Sequence, residues 1–291
     1  MSAIKTVGVA GAGTMGSGIA IVAARAGFTT ILYDIDPAVL DRARRQIEGF
    51  FAKSVEKGKL SQSQVDAILT QLRSTIDISR LADCEIVIEA VFENLQTKRA
   101  LLARLDSVCP AGTIFASNTS TLAITEIAAG SGRAERVVGM HFCLPAPLMK
   151  LVEMSAGLDT SAETFHAAWA FCEALGQKPV KTQDSPGFIL NYFLVPFNND
   201  AIRLIEAGVA EPAAIDKAIK QGLGYPLGPC ELLDMIGLDT QVLLSEAFYA
   251  VTHDPRAACP PLLRRMVAAG RLGRKSGRGF YTYQRGAMFG G

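Results

Sequence analysis

Short apolar and β-branched runs punctuate the first part of the chain, and the residues between them carry apolar side chains at helical spacing. Thr6–Val9, Thr29–Tyr33, Glu85–Glu89, Thr113–Ala116 and Val137–Met140 read as buried strands. Alternation of such runs with helical stretches predicts a parallel sheet covered by helices. Asp36-Pro37 has the form of a helix start, a capping residue before proline at the first helical position, and a charged helix is expected from there to about Lys57. Ser61-Gln62-Ser63-Gln64 has the spacing of a capping box, so this insertion reads as a helix pair. After a further run at Val180–Thr182 the pattern changes. Ser185-Pro186-Gly187 is a turn or helix start, and helical periodicity dominates from Phe188 to about Met266, with Pro196 expected to kink the first helix. A boundary near Asp184 follows, dividing the chain into residues 1–184 and an α-helical domain over 185–291.

The turn after the first run is Gly11-Ala12-Gly13-Thr14-Met15-Gly16, opening the alanine-rich stretch from Ser17 to Ala26, and Asp34 closes the next apolar run. By itself such a turn can be an ordinary one. Between a strand and a helix, with an acid at the next strand end, it reads as a dinucleotide site on a Rossmann-type sheet. Gly11 permits the tight turn, Gly13 leaves the pyrophosphate unobstructed, and Gly16 allows helix and strand to pack closely. The unpaired N–H groups of the helix start, at Thr14 and Met15, face the phosphates. Asp34 can accept both ribose hydroxyls and would repel a 2′-phosphate, so NAD is expected rather than NADP. The fold class is therefore α/β, a doubly wound and mostly parallel sheet followed by an all-α domain.

Composition narrows the function classes. An apolar content of 49% over 291 residues supports a substantial core, and a formal net charge of +1 gives no general electrostatic case for nucleic acid or an anionic membrane. The six cysteines show neither CxxC pairs nor metal-ligand spacing, and the start of the chain has no charged-then-apolar secretory pattern. Reduced thiols in a cytoplasmic protein, with no metal site, are expected. The most apolar stretches are interrupted by Arg25, or by Asn191 and Pro196, before reaching membrane-spanning length.

A dehydrogenase needs a group to take the hydroxyl proton as hydride leaves the carbinol carbon, and imidazole suits that task near neutral pH. Of the three histidines, His166 lies in a helical segment beside Trp169 and His253 in an Asp-Pro loop, where surface roles are expected. His141 follows the run Val137–Met140, and ligands of open α/β sheets bind beyond the carboxyl ends of strands. It can equally be structural. Ser117-Asn118-Thr119-Ser120 also follows a strand end, either facing a ligand or serving turn and capping bonds.

The chain resembles the L-3-hydroxyacyl-CoA dehydrogenases of the short, single-function bacterial type. The resemblance runs nearly end to end, through Gly11 to Gly16, Glu89-Ala-Val-Phe-Glu-Asn94, Ala116-Ser-Asn-Thr-Ser120, Gly139-Met-His-Phe142, Asp184-Ser-Pro-Gly-Phe188 with Asn191, Pro226-Leu-Gly-Pro229, Asp234 to Asp239, and Leu272 to Tyr281. It implies reversible, NAD-linked oxidation of the 3-hydroxyl of an acyl-CoA, with a short chain such as 3-hydroxybutyryl-CoA expected, in β-oxidation or a reductive C4 pathway. It also implies a homodimer formed through the helical domain. Within it His141 would be the general base, Glu153 the carboxylate that orients its ring, and Ser120 and Asn191 the groups that hydrogen-bond substrate oxygens. Because Asn191 belongs to the second domain, the resemblance implies an active site in an interdomain cleft. Glu93 and Lys98 match cofactor-site positions, although their spacing alone reads as a solvated helix face. Lys53 and Lys57, one helical turn apart with Lys59 close by, fall where the family holds the CoA phosphates, and equally where a charged solvent face is expected.

Cys143-Leu144-Pro145 departs from the family's Phe-Asn-Pro after His-Phe, exchanging a polar side chain for an apolar one near the reacting groups, and Tyr192 stands where a cation is common. Two other readings remain open. One is an NAD-dependent dehydrogenase of a free hydroxy acid, as in relatives acting on gulonate or carnitine. The other is a non-enzymatic nucleotide-binding protein, as lens crystallins of this lineage illustrate.

Overall fold

Eight strands make one sheet: β1 (Thr6–Ala10), β2 (Thr29–Tyr33), β3 (Leu72–Thr75), β4 (Ile86–Glu89), β5 (Ile114–Ser117), β6 (Val137–Phe142), β7 (Leu151–Ala156) and β8 (Lys178–Thr182). Their order is β3-β2-β1-β4-β5-β6-β7-β8, parallel throughout except where β7 runs antiparallel to β6. Sequence direction reverses between β1 and β4, which makes the carboxyl end of β1 the switch point where an open sheet leaves a crevice. The structure, a computed structural model, describes residues 4–283; the extreme ends of both expected domains, 1–3 and 284–291, lie outside it.

The central strands β4, β5 and β6 are mostly apolar because both faces are covered, with polar residues only near their carboxyl ends, Glu89 in β4, Ser117 in β5 and His141 in β6. Ile86 and Ile88 pack with Ile19 and Ile21, from helix α1 (Thr14–Arg25), while Val87 between them packs with Leu101 and Leu105 on the other side. Each such aliphatic side chain contributes roughly 1.5–3 kcal/mol on burial. The insertion is a helix pair, α2 (Pro37–Glu56) and α3 (Gln62–Thr70), and Ser61 and Gln64 form the capping box that starts α3. Helices α4 (Leu95–Val108), α5 (Ile124–Ala128) and α6 (Ala162–Ala174) complete the layers.

Three strands depart from the apolar pattern, among them β8, Lys-Pro-Val-Lys-Thr, a largely exposed edge. β3 is a half-exposed edge of Leu-Arg-Ser-Thr, whose composition resembles a loop. β7 is Leu-Val-Glu-Met-Ser-Ala, with Glu153 and Ser155 buried inside it. Pairing with β7 also lengthens β6, so His141 lies within the strand rather than after it; Met140 and Phe142 enter the cluster shared with α1, and alternation turns His141 to the opposite face.

The chain divides into two compact units between Phe188 and Ile189. The second contains α7 (Leu190–Glu206), α8 (Pro212–Leu223), α9 (Pro229–Ile236), α10 (Leu238–Thr252) and α11 (Pro261–Ala268). Helix α7 continues through Pro196, whose missing N–H leaves one carbonyl of the preceding turn without its helical donor. A buried network joins this helix to α10: Gln241 donates to the Asn199 Oδ1 at 2.9 Å, and Ser245 to the same atom at 3.1 Å. Among the described residues no helix is long and apolar enough to cross a membrane.

Candidate active site

The carboxyl ends of β4, β5 and β6 converge on one loop. Residues 118–123 follow β5, and their shape is set by carboxylates from neighbouring elements. Glu93, just before α4, accepts from the Thr119 hydroxyl at 2.5 Å and from the Ser120 and Thr121 amides, both at 2.8 Å. Asn118 Oδ1 accepts from the Phe142 amide at 2.9 Å, fastening the loop to β6. The outcome is that Ser120 Oγ stands 3.0 Å from His141 Nε2.

On its other nitrogen His141 meets Glu153. These residues are direct partners in the antiparallel register of β6 and β7, and Nδ1 lies 2.8 Å from Glu153 Oε2. Both side chains are buried. A carboxylate only accepts, so Nδ1 carries the proton and donates; Nε2 is then the accepting nitrogen of neutral imidazole, and the Ser120 hydroxyl donates to it. In that tautomer the base presents its accepting lone pair at Nε2, which the Ser120 hydroxyl engages. Cys143 is no competing nucleophile, because burial, with the Glu153 carboxylate adding, pushes its thiol up to about 11.

Behind the loop sits a buried charge cluster. Lys98 is 1% exposed and its ammonium reaches both oxygens of Glu89 at 2.9 Å and Glu93 Oε2 at 3.3 Å. Ser117 donates to Glu89 as well. Burial disfavours the Lys98 charge, but the two carboxylates outweigh it and hold the ammonium above the ordinary lysine range. Burial likewise raises Glu93, yet the Lys98 charge and the hydrogen bonds from Thr119, Thr121 and Ser120 leave its carboxyl below the usual range. Its contribution to loop order is thus in place at neutral pH and is lost only as pH falls through that lowered value.

The glycine turn has the shape a pyrophosphate needs. Gly11 has φ +102°, and a Cβ on Gly16 would stand 1.7 Å from the Gly11 carbonyl, whereas a Cβ on Gly13 would meet nothing within 4 Å. Helix α1 starts at Thr14 without a side-chain cap, with Thr14 exposed and Met15 partly so. Asp34 Oδ2 accepts from the Ala12 amide at 2.8 Å, which holds the acid beside the turn with lone pairs remaining for ribose hydroxyls.

Residues 6–185 match the 3-hydroxyacyl-CoA dehydrogenase NAD binding domain, and residues 187–283 match the C-terminal domain of the same family. The chain belongs to the 3-hydroxyacyl-CoA dehydrogenase family. A probable 3-hydroxybutyryl-CoA dehydrogenase of Bacillus subtilis is 44% identical over 97% of this chain and 98% of its own length. The crystal structure of M. tuberculosis FadB2 superposes with a TM-score of 0.95 at 41% identity, covering 97% of this chain and 100% of that one. That of (S)-3-hydroxybutyryl-CoA dehydrogenase PaaH1 from Ralstonia eutropha gives 0.89 at 40% identity, with coverage of 97% and 100%.

Against this family background the expected site residues fall into three groups. Ser120, His141 and Glu153 form one hydrogen-bonded chain, and Gly11, Gly13, Thr14, Met15, Gly16 and Asp34 surround the dinucleotide turn. Glu93 lies before the helix, which begins after Asn94, and its side chain is partly exposed while accepting from the loop of Ser120; Lys98 is buried and reaches Glu89 and Glu93. Lys53 and Lys57 are exposed on the insertion; α2 ends at Glu56, but the Lys57 amide still donates to the Lys53 carbonyl at 3.0 Å, continuing the helical register. Asn191 lies in the first turn of α7, and Leu144 is half-buried beyond β6. Ser117 and Asn118, read from the sequence as facing a ligand or serving turn bonds, hold the loop through Glu89 and the Phe142 amide, whereas sequence reasoning gives Glu89 no role of its own. The signal for Glu89 was an acid closing a wholly apolar strand.

Asp34 predicts its own test. NADH should give a higher specificity constant than NADPH, and Asp34→Ala should weaken NAD(H) more than NADP(H), because the variant loses ribose contacts while removing repulsion of the 2′-phosphate. Steady-state kinetics with both nucleotides decide it; comparable constants in the unaltered protein would overturn the assignment.

Proposed function

We propose that this protein interconverts (S)-3-hydroxyacyl-CoA and 3-oxoacyl-CoA, with a short acyl chain such as 3-hydroxybutyryl, using His141 as general base. The observation that carries this reading is the hydrogen-bonded chain from half-buried Ser120 through buried His141 to buried Glu153, set at the carboxyl edge of an NAD-binding sheet. NAD, held at the glycine turn and Asp34, supplies the acceptor for the hydride that leaves C3.

In the oxidative direction His141 Nε2 takes the proton of the 3-hydroxyl, and the Glu153 carboxylate opposes the positive charge that develops on the ring. Ser120, already on Nε2, hydrogen-bonds the same substrate oxygen and keeps it within reach of the base. Asn191 contributes an amide to substrate oxygens. In the reductive direction imidazolium returns the proton. A CoA thioester rather than a free hydroxy acid is supported by the relatives named for 3-hydroxybutyryl-CoA. Retention of the whole proton relay speaks against a purely structural nucleotide-binding role.

Lys53 and Lys57 serve in this reading as phosphate contacts for CoA. The reaction itself and these contacts are tested together: acetoacetyl-CoA should be reduced with NADH while free 3-keto acids are not, and Lys53→Ala with Lys57→Ala should raise the acyl-CoA KM with kcat nearly unchanged. Such contacts bind ground and transition states alike. Reduction of free acids at equal efficiency would refute the CoA assignment, and an unchanged KM would remove the lysines from it. The protein acts, in the same reading, as a cytoplasmic homodimer joined through its helical unit. Support for the dimer comes from large apolar side chains exposed there, including Phe193, Val209 and Leu243.

A further inference from the structure

The plane of an imidazole is not fixed by its hydrogen bonds alone. The ring turns about Cβ–Cγ in a broad torsional well, and a hydrogen bond at one nitrogen tolerates rocking. His141 has in-plane partners at both nitrogens, but the Ser120 contact at Nε2 sits where, in the reading above, the substrate hydroxyl must arrive. During turnover the in-plane hold therefore rests largely on Glu153. Something must also act on the ring's face.

Phe188 packs against the imidazole as a tilted neighbouring ring. The two ring centroids are 5.5 Å apart at an interplanar angle of 39°, and Phe188 is buried. Its backbone is unusual, with φ +49°, a left-handed conformation that a bulky residue adopts only where its surroundings dictate it. Those surroundings are explicit. The Phe188 amide donates to the Ser185 carbonyl at 3.1 Å, and the Gly187 amide to the Ser120 carbonyl at 3.0 Å. Four residues before Phe188, Asp184 accepts from the Ile124 and Thr125 amides at 2.5 and 2.9 Å and from the Thr125 hydroxyl at 2.6 Å. Residues 184–188 thus form a strap tied at one end to the start of α5, directly after the loop, and at the other to Ser120 in the loop, and the strained backbone at its end brings an aromatic ring to the base.

We propose that Phe188 is a positioning residue for the reaction, holding the plane of the His141 imidazole so that Nε2 faces the substrate hydroxyl, with the Asp184–Phe188 strap keeping that contact in register with Ser120. The inference rests on His141 being the base, through which Phe188 acts. It explains why an aromatic occupies a backbone conformation better suited to glycine: the ring is needed at that place, and the strap supplies the restraint.

The test is a double-mutant cycle in the full chain, with acetoacetyl-CoA and NADH, turnover being expressed per NADH-binding site from fluorescence titration. Phe188→Leu keeps an apolar side chain of similar bulk but lacks the flat face; Phe188→Met is made beside it as a more adaptable filler. We expect kcat to fall about tenfold in both with the KM for NADH unchanged, the size of loss that follows modest misplacement of a catalytic group. In the His141→Ala background the same substitutions should have no further effect, since there is no ring left to hold. Turnover within about twofold of the parent in both variants would overturn the inference, as would an equal loss in both backgrounds or loss of NADH binding in both, each of which assigns Phe188 to the fold. Near-normal turnover in His141→Ala alone would instead sink the reading of His141 as base. The two failures are therefore distinguishable.

Discussion

His141→Ala should lower kcat for acetoacetyl-CoA reduction by about 10²–10⁴-fold and leave NADH affinity intact. The magnitude is that of a positioned acid–base group. Affinity is spared because the nucleotide is expected on the glycine turn and Asp34, elements that share no hydrogen bond with the ring. Glu153→Gln should also lose turnover. The amide oxygen can still accept from Nδ1, but a neutral group cannot oppose the imidazolium charge, so the loss falls on kcat and changes its pH dependence. Combining both substitutions should cost less than the product of the separate losses, because Glu153 works through His141. Multiplicative losses would show that Glu153 acts independently, and near-normal turnover in His141→Ala would discard the mechanism. Steady-state rates, with nucleotide binding measured separately, distinguish these outcomes.

The second large effect is on stability. Lys98→Met should destabilise the first unit by about 3–5 kcal/mol, the usual cost of removing one partner from a buried ion pair. Methionine fits the aliphatic part of the lysine, so little of the loss is attributable to packing. What remains is Glu89, 1% exposed, with hydrogen bonds from Ser117 and the Val91 amide but no cation. Replacing Glu89 by Gln in the same chain should recover a substantial part of that loss, since the buried negative charge goes with it. The measurement is urea unfolding of the single and double variants without nucleotide. A loss below about 1 kcal/mol would mean that solvent reaches the cluster and that the pair counts for no more than an exposed one. Because Glu93 shares Lys98 and orders the loop of Ser120, the single variant should also turn over more slowly at temperatures where it is folded.

How far the site could be read in advance depends on the kind of signal each residue leaves. The glycine turn was legible because its geometry is local: six consecutive residues, a strand before and a helix after, and an acid at the next strand end. His141 left a weaker mark, a histidine near a strand terminus, and its placement after the strand was off because β6 is prolonged by a partner that the apolar pattern did not announce. Glu153 left no mark of its own. A buried acid within Leu-Val-Glu-Met-Ser-Ala breaks the apolar run that identifies an interior strand, and only resemblance to a family singled it out. Lys98 was open to misreading for the same reason: a lysine on a helix ordinarily faces water, and the two acids that draw it inward are five and nine residues away, one of them on another element.

Local chemistry in the chain was thus sufficient for the α/β class, the dinucleotide turn and the change to helices near residue 184. Apolar periodicity, turn residues and caps act over a few positions, so they survive in a one-dimensional reading. The antiparallel entry of β7, the facing of His141 by Glu153, the burial of Lys98 and the left-handed Phe188 on the imidazole were decided only by the tertiary structure. Each depends on residues distant in sequence or on a backbone angle held by such residues, and a buried charge or a strained aromatic is tolerable only once its partners are already in place.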